Sequence, residues 1–154
     1  MDLNFGKKYK DFKKEVKDFC KKYKGIHFID SSKVPLSGSF KSGEIKMTRS
    51  DWQKILIEKG YFARSIPSEY GGYGGESDII KSRIIAEEFA KSKIPPPMGG
   101  QGIDMLVPTL LELGTEEQKQ KYIKPTLHGE IIWCQGYSEP VSYTHLTLPT
   151  TCTV

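Results

Sequence analysis

Five segments of the chain carry apolar residues at three- and four-residue steps, and a glycine or proline follows each segment. This spacing matches the 3.6 residues of an α-helical turn, so each segment predicts a helix with one apolar face. Proline interrupts the helical hydrogen bonds, and glycine favours the left-handed turn that closes a helix. With 154 residues, the chain has room for one modest domain, which we expect to be mainly α.

The sequence also indicates where these helices begin and end. Two of them open on a capping-box pattern, Ser50 with Gln53 and Thr115 with Gln118, in which each side chain accepts a hydrogen bond from the other residue's amide. Pro108 should bend or delay the fourth helix. The predicted helices run from Tyr9 to near Gly25, from Ser50 to Lys59, from Glu76 or Ser77 to Lys93, from Leu106 to near Gly114, and from Thr115 to near Pro125.

Two stretches between the helices lack the helical period. Residues 26–46 predict a loop that acts as a spacer, with one extended piece at Ile26 to Ile29. Ser65 to Gly75 contains four glycines and a proline, which excludes regular structure there. A glycine-rich loop can hold phosphate, but this one lacks Gly-Lys-Ser/Thr and follows no clear strand, so we expect a tight structural turn.

The pattern changes at Ile131 to Tyr137, a β-branched and aromatic run between Gly129 and Pro140. Such a run predicts a β-strand. A strand that follows five helices has no partner within this chain, so its backbone donors and acceptors would stay unmatched. Either the strand pairs with another molecule, or the chain is incomplete.

Residues 141–154 differ in composition from the rest of the chain. They contain no Asp, Glu, Lys or Arg, and they hold five of the nine threonines. We expect a non-native tail, such as translated vector sequence joined to a truncated reading frame. A natural threonine-rich strand is the alternative.

Charge and hydropathy restrict the classes of function. The net charge is +4, and residues 1–59 carry 15 Lys and Arg against 8 Asp and Glu. The lysines alternate with Asp11, Glu15 and Asp18 as on a solvated helix face, and no stacking or arginine-rich motif accompanies them, so we expect no nucleic-acid binding. No apolar run reaches the roughly 20 residues of a membrane span, and no signal-peptide pattern opens the chain, so we expect a cytoplasmic protein.

Cysteines and histidines give no sign of a metal site. The cysteines are far apart and form no Cys-x-x-Cys, so we expect reduced, unreactive thiols. The histidines share no metal-ligand spacing. The residues concerned are Cys20, Cys134 and Cys152, and His27, His128 and His145.

Five motifs follow one another between about Trp52 and Pro140. They are the Trp52 helix closing at Gly60-Tyr61, Ile66-Pro67-Ser68-Glu69-Tyr70-Gly71-Gly72 with Gly74 beyond, Glu87-Glu88-Phe89-Ala90, Gly114-Thr115-Glu116-Glu117-Gln118-Lys119, and Gly129 to Pro140. In this order the motifs resemble the N-terminal half of acyl-CoA dehydrogenases. These FAD-dependent enzymes introduce an α,β double bond into acyl-CoA thioesters.

The resemblance implies a division of the chain. Family members have an N-terminal helical domain, a middle β-barrel domain and a C-terminal helical bundle, with FAD between the barrel and the bundle. Residues 1–129 would form the helical domain, residues 130–140 the first barrel strand with its flavin-contact motif, and residues 141–154 the non-native tail. The glycine, serine and aspartate that continue the family pattern do not follow Pro140, which favours truncation.

The resemblance also implies the cofactor residues. Gln135, Gly136, Tyr137 and Ser138 correspond to the strand that contacts the isoalloxazine ring of FAD. The Ser138 hydroxyl matches the position near flavin N5, where a group that donates or accepts suits both redox states. No residue matches the family's glutamate base, so we assign no catalytic residue. Glu139 is expected to bind backbone amides or form an ion pair.

Further implications concern substrate and partners. Pro95 to Met105 resembles the entrance of the acyl pocket, and the family implies an acyl-CoA substrate, an electron-transfer flavoprotein as acceptor, and a homo- or hetero-oligomer. We therefore expect a fragment of an acyl-CoA dehydrogenase that is inactive by itself. The alternative is a stand-alone helical interaction module, or a non-catalytic partner subunit of a complete dehydrogenase.

Overall fold

Helices dominate the computed structural model, which describes residues 6–29, 46–134 and 136. The described residues contain five α-helices, in the predicted order. Their bounds are α1 Lys7–Lys22, α2 Arg49–Glu58, α3 Ile79–Ser92, α4 Val107–Leu113 and α5 Glu116–Leu127. The mainly α fold is therefore confirmed.

The start of α2 differs from the prediction. Thr48, rather than Ser50, is the N-cap residue: its hydroxyl accepts from the Asp51 amide at 3.0 Å, and the Asp51 carboxylate accepts from the Thr48 amide at 3.4 Å. This box places a carboxylate at the positive end of the helix dipole, which favours the earlier start. Gln53 is thereby free for a different role.

Pro108 delays the fourth helix, as predicted. Gly102–Leu106 forms a π-helical turn, in which the Val107 amide donates to the Gly102 carbonyl five residues back. The α-helix begins at Val107, with Pro108 in its first turn, where a missing amide hydrogen costs little. Single π-turns of this kind are frequent at functional sites.

Pro125 does not end α5, contrary to the prediction. The helix continues to Leu127, and the His128 amide still donates to the Lys124 carbonyl at 3.0 Å. Proline removes only one hydrogen bond at this point. The burial of the Thr126 and Leu127 side chains, which are nearly inaccessible to solvent, offsets that loss.

The two connecting stretches contain short regular elements. β1 (His27–Phe28) pairs in parallel with β2 (Lys46–Met47), which confirms an extended piece within Ile26 to Ile29. A 3₁₀ turn at Ser68–Tyr70 interrupts the glycine-rich loop, so the expectation that this loop lacks regular structure is wrong at these residues. The burial of the Tyr70 ring in the core stabilises this turn.

Two clusters of buried side chains form the core. The first, here the aromatic cluster, joins α1, α2 and α3 with the segments that follow α2 and α3. Its members are Val16, Phe19, Cys20, Trp52, Leu56, Tyr61, Ile84, Ile85, Phe89 and Ile94. The second, here the aliphatic cluster, joins α2, the 3₁₀ turn, α4 and α5, and consists of Ile57, Tyr70, Val107, Ile123 and Leu127.

The strand predicted at Ile131 to Tyr137 is not formed in the part of that segment that is described. Residues 131–134 and 136 belong to no strand. A strand needs a neighbour to share its backbone hydrogen bonds, and the described residues contain one sheet, β1 with β2, elsewhere in the fold. Among the described helices, none is both long and apolar enough to cross a membrane. Residues 141–154 lie outside the described part.

Candidate functional site

The segment after α5 stays against the helical domain. The amides of Glu130 and Ile131 both donate to the Pro125 carbonyl, at 2.9 and 3.2 Å. Gly129 makes the turn possible, since its φ of 69° is unfavourable for residues with a side chain. The chain that leads into the predicted flavin-contact motif therefore starts from a fixed point.

Trp133 is the best-anchored side chain of this segment. Its indole Nε1 donates to the Thr126 hydroxyl oxygen at 2.8 Å, and that hydroxyl donates to the Tyr122 carbonyl at 2.6 Å. The Trp133 and Tyr122 rings meet edge to face, with centroids 5.7 Å apart. Gly102, Tyr122 and Thr126 together form what we call the Trp133 socket.

Gly102 gives the socket its space. A Cβ atom at this position would overlap Trp133 Cδ1 and would lie 2.9 Å from Thr126 Cγ2. The residue is buried in the first turn of the π-helix. The π-turn and the absence of a side chain thus act together to let the indole approach the helix backbone.

The loop before the π-helix is fixed by two side chains of α2. The side-chain amide of Gln53 makes two hydrogen bonds with the backbone of Met98. Its Oε1 accepts from the Met98 amide at 2.9 Å, and its Nε2 donates to the Met98 carbonyl at 3.3 Å. The Trp52 indole donates to the Pro95 carbonyl at 3.1 Å. Part of the segment that resembles an acyl-pocket entrance is therefore tied to the core.

Sequence reasoning missed this role of Gln53 by placing it in a capping box. The residue is fully buried, together with Trp52, Leu56 and Ile57 on the same helix. Its position one turn before Ile57, on the apolar side of α2, was the available signal. A buried amide must find partners, and a loop rich in proline and glycine offers free backbone groups.

Charged groups surround the start of the segment. Lys54 Nζ lies 3.1 Å from Glu130 Oε1, and His128 Nδ1 lies 3.6 Å from the same oxygen. The hydrogen bond from Lys54 lowers the pKa of Glu130. Burial, and then the Lys54 charge, lower the pKa of His128 against the opposing effect of Glu130. Lys54 is therefore the stronger partner of Glu130 at neutral pH.

Two cavities adjoin Trp133. One of about 130 Å³ lies between the loop and the end of α5 and reaches Met98, Gly102 and Thr126. The other, of about 240 Å³, is open to solvent. Its lining is Gln101, Met105, Leu106, Thr109, Trp133 and Cys134. This mixture of apolar surface with few polar groups is suited to an apolar chain that carries a polar end.

Of the four predicted flavin-contact residues, the structure describes one. Gly136 is exposed, and among the described residues no atom lies within 4 Å of the place where its Cβ would stand, its own chain neighbours aside. Gln135, Tyr137 and Ser138 lie outside the described residues, as does Glu139, so their roles stay predictions. No group of three potential metal ligands occurs in the described part of the chain. Cys20 is buried and Cys134 exposed, both as free thiols.

Comparison with known proteins identifies the family. Residues 7–130 match the model of the acyl-CoA dehydrogenase N-terminal domain, which is most of the chain. The helices, the π-turn and the Trp133 socket all lie within this match or directly after it. The chain therefore belongs to the acyl-CoA dehydrogenase family.

Individual relatives agree with this assignment. Acyl-CoA dehydrogenase IpdE1 of Mycolicibacterium smegmatis is 33% identical over 105 residues, which are 68% of this chain and 26% of that protein. Glutaryl-CoA dehydrogenase of Desulfococcus multivorans is 28% identical over 142 residues, 91% of this chain and 34% of the relative. The chain thus spans about a quarter to a third of these relatives.

One solved structure shares the fold. The crystal structure of the ChsE4-ChsE5 complex from Mycobacterium tuberculosis aligns with a TM-score of 0.56 at 22% identity. The alignment covers 91% of this chain and 32% of that chain.

Proposed function

We propose that this chain supplies the N-terminal helical domain and the start of the flavin-contact segment of an FAD-dependent acyl-CoA dehydrogenase. The observation that carries this proposal is the seating of Trp133 in its socket, directly before the motif Gln135 to Ser138. The helical domain thereby holds the segment that would face the cofactor. The activity proposed for the whole enzyme is α,β-dehydrogenation of an acyl-CoA thioester.

The residues of the motif fit a flavin ring. No side chain of the described residues stands over Gly136, which supports the approach of a flat ring system to its backbone, and the Ser138 hydroxyl can both donate and accept. When bound, FAD would accept the β-hydrogen of the substrate as hydride. Gln135, Gly136, Tyr137 and Ser138 would hold the ring edge. The family's catalytic base matches no residue of this chain, so proton abstraction is assigned elsewhere in the enzyme.

The open cavity beside the π-helix is the proposed place for part of the acyl group. Met105 and Leu106 give it apolar surface, and Gln101 contributes a polar edge. Gln53 and Trp52 keep the preceding loop in place from the core side. A thioester with an apolar chain is the substrate class that this surface favours.

The proposed division of the chain follows the structure at one boundary. α5 ends at Leu127 and Gly129 turns the chain, which supports a helical domain of residues 1–129. Residues 130–140 would open the barrel domain, and residues 141–154 would be a non-native tail. The first barrel strand would then form only when further strands pair with it.

The partners follow from the same proposal. An electron-transfer flavoprotein would reoxidise the flavin, and the complete enzyme would act in the cytoplasm as a homo- or hetero-oligomer. The related mycobacterial structure is a complex of two proteins, ChsE4 and ChsE5, which supports a hetero-oligomeric arrangement.

The experiment that tests the proposal measures FAD binding and acyl-CoA-dependent dye reduction by this chain alone. We expect the chain alone to bind FAD negligibly and to reduce no dye with acyl-CoA, because one segment cannot enclose a flavin and no base is present. Circular dichroism would verify that the helical domain is folded. A yellow protein that retains flavin through gel filtration would contradict the proposal.

The exposed side chain of Ile132 allows the fragment to be distinguished from the alternative, a helical interaction module. Its side chain is 85% exposed although it is large and apolar. In a fragment, this surface should cause self-association or binding of a hydrophobic dye, and Ile132→Lys should reduce both. A clean monomer without dye binding, together with a natural stop codon after Val154, would favour the module.

A further inference from the structure

We propose that Thr126 and Gly102 are positioning residues that set where the flavin-contact motif begins. They would act through Trp133, which they hold against α5 and the π-helix. This inference rests on the proposed function for its purpose, but the socket itself can be tested without flavin or substrate.

The Trp133 indole N–H and the Thr126 hydroxyl both have hydrogen-bond partners in the socket. The indole Nε1–H is the single polar group of the Trp133 side chain, and Thr126 Oγ1 accepts from it while donating to the Tyr122 carbonyl. Thr126 is 2% exposed, so water does not readily replace either contact. A valine at this position would keep the shape but leave the indole without its acceptor.

Trp133 is flanked by exposed neighbours. Ile132 and Cys134 both lie at the surface, so in the described residues after Ile131, whose amide donates to Pro125, Trp133 is the anchored side chain. Ser138 follows Trp133 by five residues, and an extended chain spans at most about 3.3–3.6 Å per residue, or roughly 17 Å in total. Fixing Trp133 therefore sets an upper limit on the distance between the socket and Ser138.

The first experiment compares Thr126→Val with Thr126→Ser in the full chain. In nitrogen-15 NMR spectra, the two indole N–H groups of Trp133 and Trp52 give separate signals, and Trp52, which donates to Pro95, is the internal control. We expect hydrogen exchange of the Trp133 indole to rise about tenfold in the valine variant, near the upper end of what one net hydrogen bond contributes. Serine keeps the hydroxyl and should restore the wild-type rate.

The second readout follows the beginning of the motif. A nitroxide label on exposed Cys134, in a Cys152→Ser background, reports local mobility next to Gln135, whereas Cys20 is buried and protected from labelling. Thr126→Val should increase the mobility of the label, and Thr126→Ser should not. A role of Thr126 in α5 stability alone would leave the label unchanged under native conditions.

The steric part of the proposal has its own pair of variants. Gly102→Ala should displace Trp133 and mobilise the label, because the added methyl group overlaps the indole. Gly99→Ala is the matched control in the same loop, since its Cβ would meet only Asp104 Oδ2, at 3.5 Å. Both variants keep the π-turn sequence otherwise intact.

The outcomes separate the inference from the proposed function. A rise in indole hydrogen exchange in Thr126→Val that is confined to Trp133, with the wild-type rate restored in Thr126→Ser, supports the socket. Equal increases in the exchange rates of the Trp133 and Trp52 indoles, or no change in either rate, would overturn the inference. If the socket holds but the complete enzyme binds no flavin, the proposed function alone fails.

Discussion

The aromatic and aliphatic clusters differ in size and in the kind of side chain that fills them. In the aromatic cluster, the Phe19 ring packs against three other buried rings, with centroids 4.9 Å from Tyr61, 5.7 Å from Trp52 and 6.0 Å from Phe89. The aliphatic cluster has five buried members, and specific hydrogen bonds such as Tyr70 to Glu116 at 2.9 Å border it. The first cluster is thus larger and dominated by packed rings, whereas the second is smaller and contains one buried ring, that of Tyr70. Polar contacts border both clusters, as in the hydrogen bonds of Trp52 to Pro95 and of Tyr70 to Glu116.

The candidate site lies on the aliphatic side. The π-turn precedes Val107, and the Trp133 socket includes Thr126, next to Leu127 of the aliphatic cluster. α2 connects the two sides, because Leu56 belongs to the aromatic cluster and Ile57 to the aliphatic one. The aromatic cluster therefore forms a scaffold of packed rings, and the smaller aliphatic side carries the candidate site.

The largest expected effect is at the centre of the aromatic cluster. Phe19→Ala should lower the free energy of unfolding by about 3–5 kcal/mol, since it leaves a cavity among rings that cannot collapse into it. Urea denaturation measures this loss. Phe12→Ala is the control, because Phe12 packs at the half-buried edge and should cost clearly less. Equal losses would mean that Phe19 is not the centre of this core.

Ile123→Ala, in the aliphatic cluster, should lower the free energy of unfolding by about 2–4 kcal/mol, because it deletes fewer buried atoms than Phe19→Ala does. The loss should also be local. In native-state hydrogen exchange, amides of α4 and α5 should lose protection before those of α1 and α3. Uniform loss of protection across the five helices would contradict two separately stabilised clusters.

The free energy of unfolding at alkaline pH provides a third test, in which Tyr70 represents the aliphatic cluster. The hydrogen bond to Glu116 raises the pKa of Tyr70 to about 12, above the value near 10 of an unfolded chain. The folded state therefore holds this proton longer, and its stabilisation declines as pH rises from 10 to 12. Tyr70→Phe should flatten the unfolding free energy in that range. Tyr61→Phe is the counterpart on the aromatic side: burial raises the pKa of that tyrosine too, so this variant should also reduce the loss of stability above pH 10.

The smallest expected effect is a pH response at His128. Its pKa is lowered in the folded state, so its contribution to stability is complete above the unfolded pKa of about 6.5 and is lost as pH falls below it. His128→Asn should remove this slope. NMR titration of the His128 imidazole should show the lowered pKa directly. A titration midpoint at or above 6.5 would contradict the prediction.

Local patterns allowed the helices, and some of their ends, to be predicted. The periodic apolar residues located all five, and the Thr115 box and the delay at Pro108 are as expected, since capping and proline chemistry act within one turn. Two of the differences at helix ends have tertiary or competing causes. Thr48 with Asp51 forms a better cap than Ser50, and burial carries α5 past Pro125.

The site depended on contacts that no local pattern contains. The strand expected at Ile131 to Tyr137 is not formed in the described residues 131–134 and 136, because β propensity is realised only beside a partner strand. The motif Gln135 to Ser138 rests on family resemblance, and of these residues only Gly136 lies in the described part. Gln53 found its role only through the distant backbone of Met98.

The sequence by itself therefore determined the helices, their order and the family, because hydrogen bonds within a turn and a 3.6-residue period depend on near neighbours alone. Only the tertiary structure decided that Gly102, Thr126 and Trp133 meet. Their contact requires α5 and the π-turn to pack side by side, and the glycine's value lies in the space it leaves for a residue far along the chain.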